Sequence, residues 1–264
     1  MKKNGFTLLE LIIAIAVGAI LMTAIYGAMI MAQRTTAGLG KKVITQQDTR
    51  AVLDFMAAEI RMASFNPSMT EATWTHTETL NNLNCGQVTV VTGAIAASAA
   101  KRGILYADAN NIYIAMDLSA DGVIGKYCSC TDPNDCVAVP APACANDGGT
   151  NEYIFYSYSA SSAAAGASRD QITRNVSCSG NAALLGGSAP GTVVINQQLG
   201  IDVFEYFDKD GNQITNPNAN IPNIRRVRIT IAAETDEIDI NTGVSKKMIN
   251  STDVLVRNHA VYIP

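Results

Sequence analysis

The chain has 264 residues, which is enough for one or two domains with a hydrophobic core. Charged residues make up 16% of it, below the usual value of about 25%. The net charge is -4 and no run of basic residues is longer than two, which argues against a nucleic-acid-binding protein. Only two histidines, His76 and His259, are present, so imidazole catalysis and zinc enzymes have little support.

A long apolar segment follows the first five residues. From Phe6 to Ala32 the chain carries one charge, Glu10, and as a helix rising about 1.5 Å per residue it can cross a hydrocarbon core of about 30 Å. Lys2 and Lys3 precede the segment, and this short basic head favours a cytoplasmic amino terminus. A secretory signal peptide cut near Ala32 is the alternative, although the segment is longer than a usual signal core.

Glu10 is unusual in such a segment. A carboxylate costs about 2.5–3.5 kcal/mol at the bilayer centre and less near the interface, so it needs a partner or a purpose. If the chain were cut between Gly5 and Phe6, the new amino group would lie one helical turn from Glu10 and could pair with it, within one helix or between two. The cost of placing a carboxylate in the apolar segment, considered alone, is equally compatible with a plain membrane anchor that carries an interfacial glutamate.

The amino-terminal residues KKNGFTLLELI, at positions 2–12, resemble the class III signal of type IV prepilins and type II secretion pseudopilins. The resemblance implies that a prepilin peptidase cuts after Gly5 and methylates the amino group of Phe6. It also implies that Glu10 guides the docking of subunits. The motif covers about the first tenth of the chain, so it indicates the class of protein and not the type of subunit.

The helix is expected to continue beyond the membrane, because Leu53, Met56 and Ile60 recur at helical spacing between charged residues. Asn66 and Pro67 should end it, and the glycines at 38 and 40 could bend it. The predicted division is a leader at 1–5, a transmembrane and assembly half of the helix at 6–32, an amphipathic half at 33–66, and an exported β-rich head at 67–264.

The head alternates short β-rich runs with turn residues. Strands are predicted at Val88–Thr92, Asn111–Leu118, Glu152–Tyr158, Ile201–Phe207, Arg225–Ile231 and Asp253–Ile263. The predicted fold is therefore α+β and type IV pilin-like, with a long helix packed on an antiparallel sheet and disulfide-stapled loops. The second half of the helix resembles that of PilW-like and PulJ-like minor subunits, and the last three strands resemble their carboxy-terminal sheet. His259 falls in the last predicted strand and should be structural.

Six cysteines follow the apolar segment, so an inside amino terminus places all of them in an oxidising compartment and disulfides are expected. They are Cys85, Cys128, Cys130, Cys136, Cys144 and Cys178. Six cysteines allow 15 pairings, and the sequence does not choose among them. Four lie within Cys128–Cys144, which suggests a stapled insertion. A zinc site made by these four is the alternative, but their spacing departs from that of common zinc motifs.

The segment DLSADGVI places Asp117, Ser119, Asp121 and Val123 as in the first half of a calcium-binding loop. The twelfth position is Cys128 instead of a bidentate glutamate, so calcium binding would be weak unless other ligands contribute. A solvated turn is the alternative. The aspartates at 208 and 210 fit a hairpin turn better than a calcium site.

None of the common short catalytic motifs is present, so we expect no enzyme activity, no small-molecule substrate and no required cofactor. The glycine-rich segment 186–191 is predicted to be a loop. The acidic run Glu234, Asp236, Glu237 and Asp239 is predicted to be an exposed loop or strand end.

The resulting hypothesis is a minor pilin that joins a priming or tip complex. The family's pattern implies prepilin peptidase, other minor pilins, the major pilin and an inner-membrane assembly platform as partners. The precursor would sit in the inner membrane and the processed chain in a surface pilus or periplasmic pseudopilus. A J-type pseudopilin of type II secretion is the nearest alternative, and an anchored adhesin or ligand-binding protein is a second.

Overall fold

The computed structural model describes residues 7–67, 79–81, 94–96, 103–118, 152–160, 170–176, 181–187, 191–239 and 243–260. The leader, Phe6, all six cysteines and the predicted strand Val88–Thr92 lie outside these ranges.

One helix of 55 residues, α1, runs from Leu8 to Met62 and is about 80 Å long. It continues through Gly38 and Gly40 without a break, so the two glycines do not divide it into two helices. A helix-interior glycine costs only about 1 kcal/mol relative to alanine, which one long run of backbone hydrogen bonds tolerates. The helix ends at Met62, earlier than the predicted boundary at 66.

The first antiparallel sheet contains five strands in sequential order, each paired with the next. They are β3 Ile104–Ala107, β4 Asn111–Ala115, β5 Tyr153–Ser159, β6 Gln171–Val176 and β7 Asn181–Gly186. Two short strands earlier in the chain, β1 Thr79–Asn81 and β2 Ala94–Ala96, pair with each other and with no other strand that the structure describes.

The second antiparallel sheet is built around one long central strand. Its members are β8 Val193–Val194, β9 Phe204–Phe207, β10 Arg226–Glu234 and β11 Lys247–Leu255. β10 pairs with β11 along its whole length and with β8 and β9 on the other side. A short helix, α2 Asn196–Leu199, and a 3-10 turn, Asn218–Asn223, connect these strands.

The core lies between the second half of α1 and the two sheets. The buried helix positions are Thr45, Thr49, Leu53, Met56, Ala57 and Ile60, which recur every three or four residues. Residues from the helix and both sheets form one hydrophobic cluster, including Leu53, Met56, Ile60, Ile112, Ile154, Ile172, Val227, Ile229 and Val254. The predicted α+β fold, with a long helix packed on antiparallel sheet, is confirmed.

Four of the predicted strands are found as β4, β5, β9 and β10, with ends shifted by a few residues. The strand predicted at Asp253–Ile263 is found as far as Leu255, where β11 ends, and is wrong for residues 256–260, while residues 261–263 lie outside the described ranges. A helical turn, α3 Arg257–Ala260, follows there and contains His259. The glycine-rich loop prediction is wrong at Gly186, which ends β7. The acidic run begins at the last residue of β10 and continues into the turn that leads to β11, as predicted.

Candidate assembly site along the amino-terminal helix

The helix begins with a capping box formed by Thr7 and Glu10. The backbone N–H of Glu10 donates to Thr7 Oγ1 at 3.3 Å, and the backbone N–H of Thr7 donates to Glu10 Oε2 at 3.0 Å. The Thr7 hydroxyl donates to the same carboxylate oxygen at 3.1 Å. The Glu10 carboxylate therefore turns back toward the helix start and the predicted cleavage site between Gly5 and Phe6, which lies outside the described residues.

The described residues cover little of the first half of α1. Most of its large apolar side chains are more than half exposed, among them Leu8 at 77% and Met31 at 67%, and Ile30 is half-buried. Within the described residues, α1 is the one helix long and apolar enough to cross a membrane, as judged by length and composition. So much contiguous apolar surface is unstable in water and must be covered by lipid or by other chains.

An apolar stripe continues along the exposed side of the second half of α1. We call the five residues Ala51, Phe55, Ala58, Met62 and Phe65 the outer stripe. Phe55, Met62 and Phe65 are 44%, 41% and 36% exposed, and both alanines are exposed. From Ala51 to Met62 the steps are four, three and four residues, as in the contact seam of paired helices, and Phe65 follows the end of the helix.

The outer stripe lies opposite the face that packs on the sheet. Ala58 and Met62 are each two residues from the fully buried Ile60, which places them about 160° around the helix axis. The small side chains at Ala51 and Ala58 would let a second helix approach closely. The sequence analysis did not identify this stripe, although its heptad spacing could have been read from the sequence.

A charged cluster holds the second half of α1 against the first sheet. Arg174 on β6 donates from Nε to Glu59 Oε2 at 2.9 Å and from Nη2 to Glu59 Oε1 at 2.5 Å. The Tyr156 hydroxyl also donates to the Glu59 carboxylate. Burial raises the pKa of Tyr156 well above its usual value of 10, and the Glu59 carboxylate raises it further. Tyr156 therefore stays a neutral hydrogen-bond donor, and the helix is fixed to β5 and β6.

Two further polar contacts join α1 to the loops around the second sheet. The Thr192 hydroxyl donates to Asp48 Oδ2 at 3.1 Å. Nearer the membrane half, Lys41 forms an ion pair with Glu237, in the turn between β10 and β11. The acidic run predicted to be merely exposed therefore also contacts the helix.

A buried network of hydrogen bonds around Ser64 fixes the end of α1. The backbone of Ser64 has a positive φ of 65°. Its backbone N–H donates to the carbonyl of Ala115 at 3.0 Å, and its side-chain oxygen accepts from the N–H of Gly103 at 3.1 Å. His259 Nδ1 lies 3.0 Å from the Ser64 hydroxyl, and its Nε2 lies 2.9 Å from the carbonyl oxygen of Ile221. A neutral ring that donates from Nε2 and accepts at Nδ1 satisfies both contacts. The predicted structural role of His259 agrees with this burial, although the element is different.

The predicted calcium loop begins at a buried carboxylate. Asp117 is fully buried, and Glu152, which the sequence analysis did not single out, is 1% exposed and accepts the N–H of Leu118 at 3.0 Å. Ser119, Asp121 and Val123 lie outside the described residues. Within the described ranges, no group of three or more histidine, cysteine or acidic residues is placed to hold a metal ion.

The other acidic candidate, Asp208, forms a hairpin turn. Its carboxylate accepts hydrogen bonds from the Asn212 side-chain amide at 3.1 Å and from the backbone N–H groups of Asn212 and Asp210, each at 2.9 Å. These hydrogen bonds, that of the Asn212 amide first, lower the pKa of Asp208. The chain then pairs back through Gln213 with Phe207. The carboxylate is thus used by the turn, as the hairpin interpretation expects.

Comparison with known proteins adds one finding at the amino terminus. Residues 1–26 match the family described as the prokaryotic N-terminal methylation motif. No curated protein and no solved structure matches the chain. The matched residues contain the predicted cleavage site, the glutamate of the capping box and most of the uncovered half of α1.

Proposed function

We propose that this chain, a type IV pilin-like protein, is a minor pilin that joins the priming or tip complex of a type IV pilus. The methylation motif at residues 1–26 implies processing by prepilin peptidase and assembly with other pilins. Beyond what the motif implies, we assign the chain a place in the filament and a set of partners, which are other minor pilins, the major pilin and the inner-membrane assembly platform.

The observation that carries the proposal is the division of α1 into two halves. The half that contains the motif is uncovered, and the other half packs on the head. Before assembly, the inner membrane would cover the first half, with the amino terminus in the cytoplasm. After assembly, helices of neighbouring subunits would cover it, and the outer stripe would extend the contact toward the head. Helix packing then supplies the free energy of assembly, and neither enzyme activity nor a cofactor is required.

Glu10 would act at the moment of docking. Cleavage after Gly5 leaves an amino group on Phe6, one helical turn before the glutamate. In apolar surroundings an unpaired charge is costly, so the carboxylate of one subunit would pair with the methylated amine of its own chain or of a neighbour. The carboxylate already points toward this end of the helix in the unprocessed chain.

The position at the tip rests on the size of the head. The predicted head, 67–264, contains about three quarters of the chain, and its described part forms three antiparallel sheets, of two, four and five strands. Such a head would leave little room for close neighbours on all sides in a thin shaft. A subunit that begins the filament needs neighbours on one side only.

The first test is intact mass and amino-terminal sequencing of the protein recovered from membranes or filaments. We expect a chain that begins at methylated Phe6. A retained Met1, or a cut near Ala32, would contradict the prepilin pathway. Gold labelling of the head on sheared filaments then tests the position: label at filament ends agrees with the tip, and even label along the filament contradicts it.

A J-type pseudopilin of type II secretion is the second candidate, because the methylation motif and the helix arrangement are common to both classes. Deletion of the gene separates the two. Loss of surface filaments with intact protein secretion supports the pilin, and the reverse supports the pseudopilin.

A further inference from the structure

The strand β11 forms one edge of the second sheet. It pairs with β10 along all 9 of its residues and with no other strand that the structure describes. The ladder has no shift in register, and β11 contains no proline. By contrast, the ladders that join the edge strands β3 and β7 to the first sheet each contain a register shift. Proteins commonly protect long sheet edges with bulges or prolines, so an edge as long and regular as β11 is unusual.

Two hydrogen bonds beyond the ends of the β10–β11 ladder show which residues of β11 face the open edge. The Thr235 N–H donates to the Lys246 carbonyl at 3.1 Å, and the Val256 N–H donates to the Arg225 carbonyl at 3.0 Å. Hydrogen-bonded pairs recur every second residue in an antiparallel ladder. The even-numbered residues of β11 therefore bond to β10, and the odd-numbered residues direct their N–H and C=O groups away from it.

The middle of the open edge is formed by Ile249, Ser251 and Asp253. Their backbone N–H and C=O groups have no hydrogen bond to any residue that the structure describes. Each of the three residues thus offers one donor and one acceptor to another chain. The spacing of these groups is that of a β-strand, so the group that matches them is a second strand.

The same odd-numbered residues carry exposed side chains. Ile249 and Leu255 are 57% and 55% exposed. Asp253 lies between them and forms ion pairs with Arg226 and Arg228, each at 2.9 Å, so its charge is compensated. Charged side chains are one of the means by which proteins keep a sheet edge free of other strands. The compensated Asp253 and the apolar residues on either side of it leave the edge open to a strand.

β11 runs in the same direction as α1. Just before its start, Lys246 is paired with Asp239 at 3.0 Å, and the Asp239 carboxylate lies beside Gly38 of the helix. Just beyond its end, His259 Nδ1 lies 3.0 Å from the hydroxyl of Ser64, which follows the end of α1. A strand that adds antiparallel to β11 would therefore run opposite to α1.

This direction argues against β11 of a second copy as the partner. Two identical strands that pair antiparallel, edge to edge, are related by a two-fold axis perpendicular to the sheet. Because α1 lies along the sheet, that axis would place the two α1 helices in opposite directions. Two chains anchored in one bilayer, or assembled in one filament, have their α1 helices in the same direction.

We propose that the open edge of β11 is a strand-addition site for a different pilin-type subunit, whose head contributes an extended segment antiparallel to β11. The main-chain groups of the edge select an extended polypeptide, and Ile249 and Leu255 select apolar side chains at the matching positions of that segment. The partner must stand beside α1 on the side of the membrane that holds the head, as a neighbouring subunit does. The inference rests on the proposed function for the class of the partner, and it holds for a pilus and for a pseudopilus.

The first test is Ser251→Pro in the full-length chain. Proline removes an N–H that points away from β10 and is tolerated on edge strands, so the β10–β11 ladder should stay intact. Ser251→Ala is the matched control, because it keeps the N–H and removes only the hydroxyl. Both variants should keep the urea unfolding midpoint of the unchanged chain in detergent. We expect Ser251→Pro alone to lower incorporation into sheared filaments by at least about tenfold, because the partner strand loses a hydrogen bond at the centre of the contact.

Normal incorporation of a folded Ser251→Pro variant would overturn strand addition and leave the proposed function in place. An equal loss with Ser251→Ala would show that the hydroxyl makes the contact instead of the main chain, and would also overturn it. Absence of the unchanged chain from filaments would contradict the proposed function and, with it, a pilin-type partner.

Hydrogen exchange of the unchanged chain gives a second readout, which does not depend on whether Ser251→Pro folds. The amides of Ile249, Ser251 and Asp253 should exchange at least about tenfold more slowly in filaments than in the purified chain, as resolved by mass spectrometry, whereas those of Asn250 and Thr252 should be protected in both. Equal exchange of the three edge amides in the two samples would overturn strand addition. Slow exchange in a purified chain that sediments as a dimer would identify a second copy as the partner and would overturn the proposal as well.

Discussion

Glu10 combines a local role with a proposed intermolecular one. In the described structure its carboxylate caps the helix through Thr7, a contact worth about 1 kcal/mol at most. In an assembled filament the same carboxylate would neutralise an amine in apolar surroundings, where an unpaired charge costs several kcal/mol. We therefore expect Glu10→Ala to lower incorporation into filaments by at least about tenfold, equivalent to about 1.4 kcal/mol.

The measurement is the amount of the chain in sheared filaments relative to membranes, quantified by immunoblot. Thr7→Val is the matched control, because it removes the hydroxyl from the cap and leaves the carboxylate. It should be cleaved and incorporated normally. Cleavage of Glu10→Ala should also be normal, and normal incorporation of that variant would show that the carboxylate has no docking role.

At Gly103 the surrounding backbone leaves no space for a Cβ atom. A Cβ there would lie 2.2 Å from the backbone nitrogen of Ser64 and 2.3 Å from the carbonyl oxygen of Ala115. These backbone atoms cannot move without breaking the hydrogen bonds of Ser64 that fix the end of α1. Gly103→Ala should therefore reduce the free energy of unfolding by about 3 kcal/mol, measured by urea unfolding of the detergent-solubilised chain.

The control for this substitution is Gly40→Ala, a helix position with no atom within 4 Å of the added methyl group. It should be neutral or stabilising by up to about 1 kcal/mol, because alanine has the higher helix propensity. Similar stability of both variants would mean that the helix end and β3 do not meet as described.

Asp253 offers a pH test on the outer face of the second sheet. Hydrogen bonds from Arg228 and the charges of Arg226 and Arg228 lower the pKa of its carboxyl group, and burial opposes this shift in part. Because the folded-state pKa is the lower one, this stabilisation is fully present above the usual value of 3.8 and is lost as the pH falls through the folded-state pKa. The side chain is 44% exposed, so solvent screening keeps the effect below about 1 kcal/mol.

Asp253→Asn should thus be slightly less stable than the unchanged chain at neutral pH, with the difference disappearing in acid. Thermal unfolding followed across the acid range by circular dichroism measures it. A difference that grows as the pH falls would contradict the assignment of the ion pairs.

At the scale of elements, the Glu59–Arg174–Tyr156 cluster decides how firmly the helix is held to the first sheet. Its ion pair is mostly buried, with side chains 17% and 21% exposed. Removing either side chain leaves the charge of the other without a partner. Glu59→Ala and Arg174→Ala should therefore each reduce the free energy of unfolding by about 2 kcal/mol, which is less than the loss expected from breaking a fully buried ion pair. The double variant should show a coupling energy of about 1–2 kcal/mol.

Urea unfolding of the two single variants and the double variant gives this coupling energy. Asp54→Ala is the matched control on the same helix, because its carboxylate is exposed, and it should change stability little. Strictly additive effects of the Glu59 and Arg174 changes would show that the two side chains do not act as a pair.

The sequence predicted those elements whose pattern is strong locally. α1 has helical periodicity, and β10 alternates buried Val227 and Ile229 with charged residues, so both were found. β7 was missed because its residues NAALLG favour helix when considered alone, and pairing with β6 makes them a strand. α3 was predicted as strand because apolar β-formers surround its four residues on both sides.

The candidate site was predictable only where the chemistry is contained in a short motif. Glu10 stands in such a motif, and comparison confirms the motif itself. Glu59 and Arg174 are 115 residues apart, and their pairing depends on how the sheet folds back on the helix, which no local pattern contains. The same is true of Ser64 and His259, 195 residues apart.

For the whole molecule, the main consequence of the fold is that one continuous helix has an exposed first half and a second half that packs on the head. Its outer stripe faces away from the head over the same length in which the opposite face is buried. The head leaves Ala51, Ala58 and Met62 exposed on this side of α1, while the Arg174 guanidinium lies 5.2 Å from the centre of the Phe55 ring. Charged residues, among them Arg34, Lys41 and Asp48, separate the stripe from the apolar first half of the helix. A neighbouring helix that covers the first half could follow the stripe up to the end of α1 at Met62, with Ala51 and Ala58 at the closest approach.

This geometry leads to a prediction about assembly that is separate from folding. Ala58→Asp places a charge in the middle of the outer stripe, so it should reduce incorporation into filaments by at least about tenfold, since burying an unpaired carboxylate costs more than about 1.4 kcal/mol. The isolated chain should keep its unfolding midpoint, because Ala58 is exposed there. Ala219→Asp is the matched control, an exposed alanine in the 3-10 turn away from the stripe, and it should assemble normally. If both variants assemble normally, the contact between subunits ends with the uncovered half of α1, and the head takes no part in it through this face.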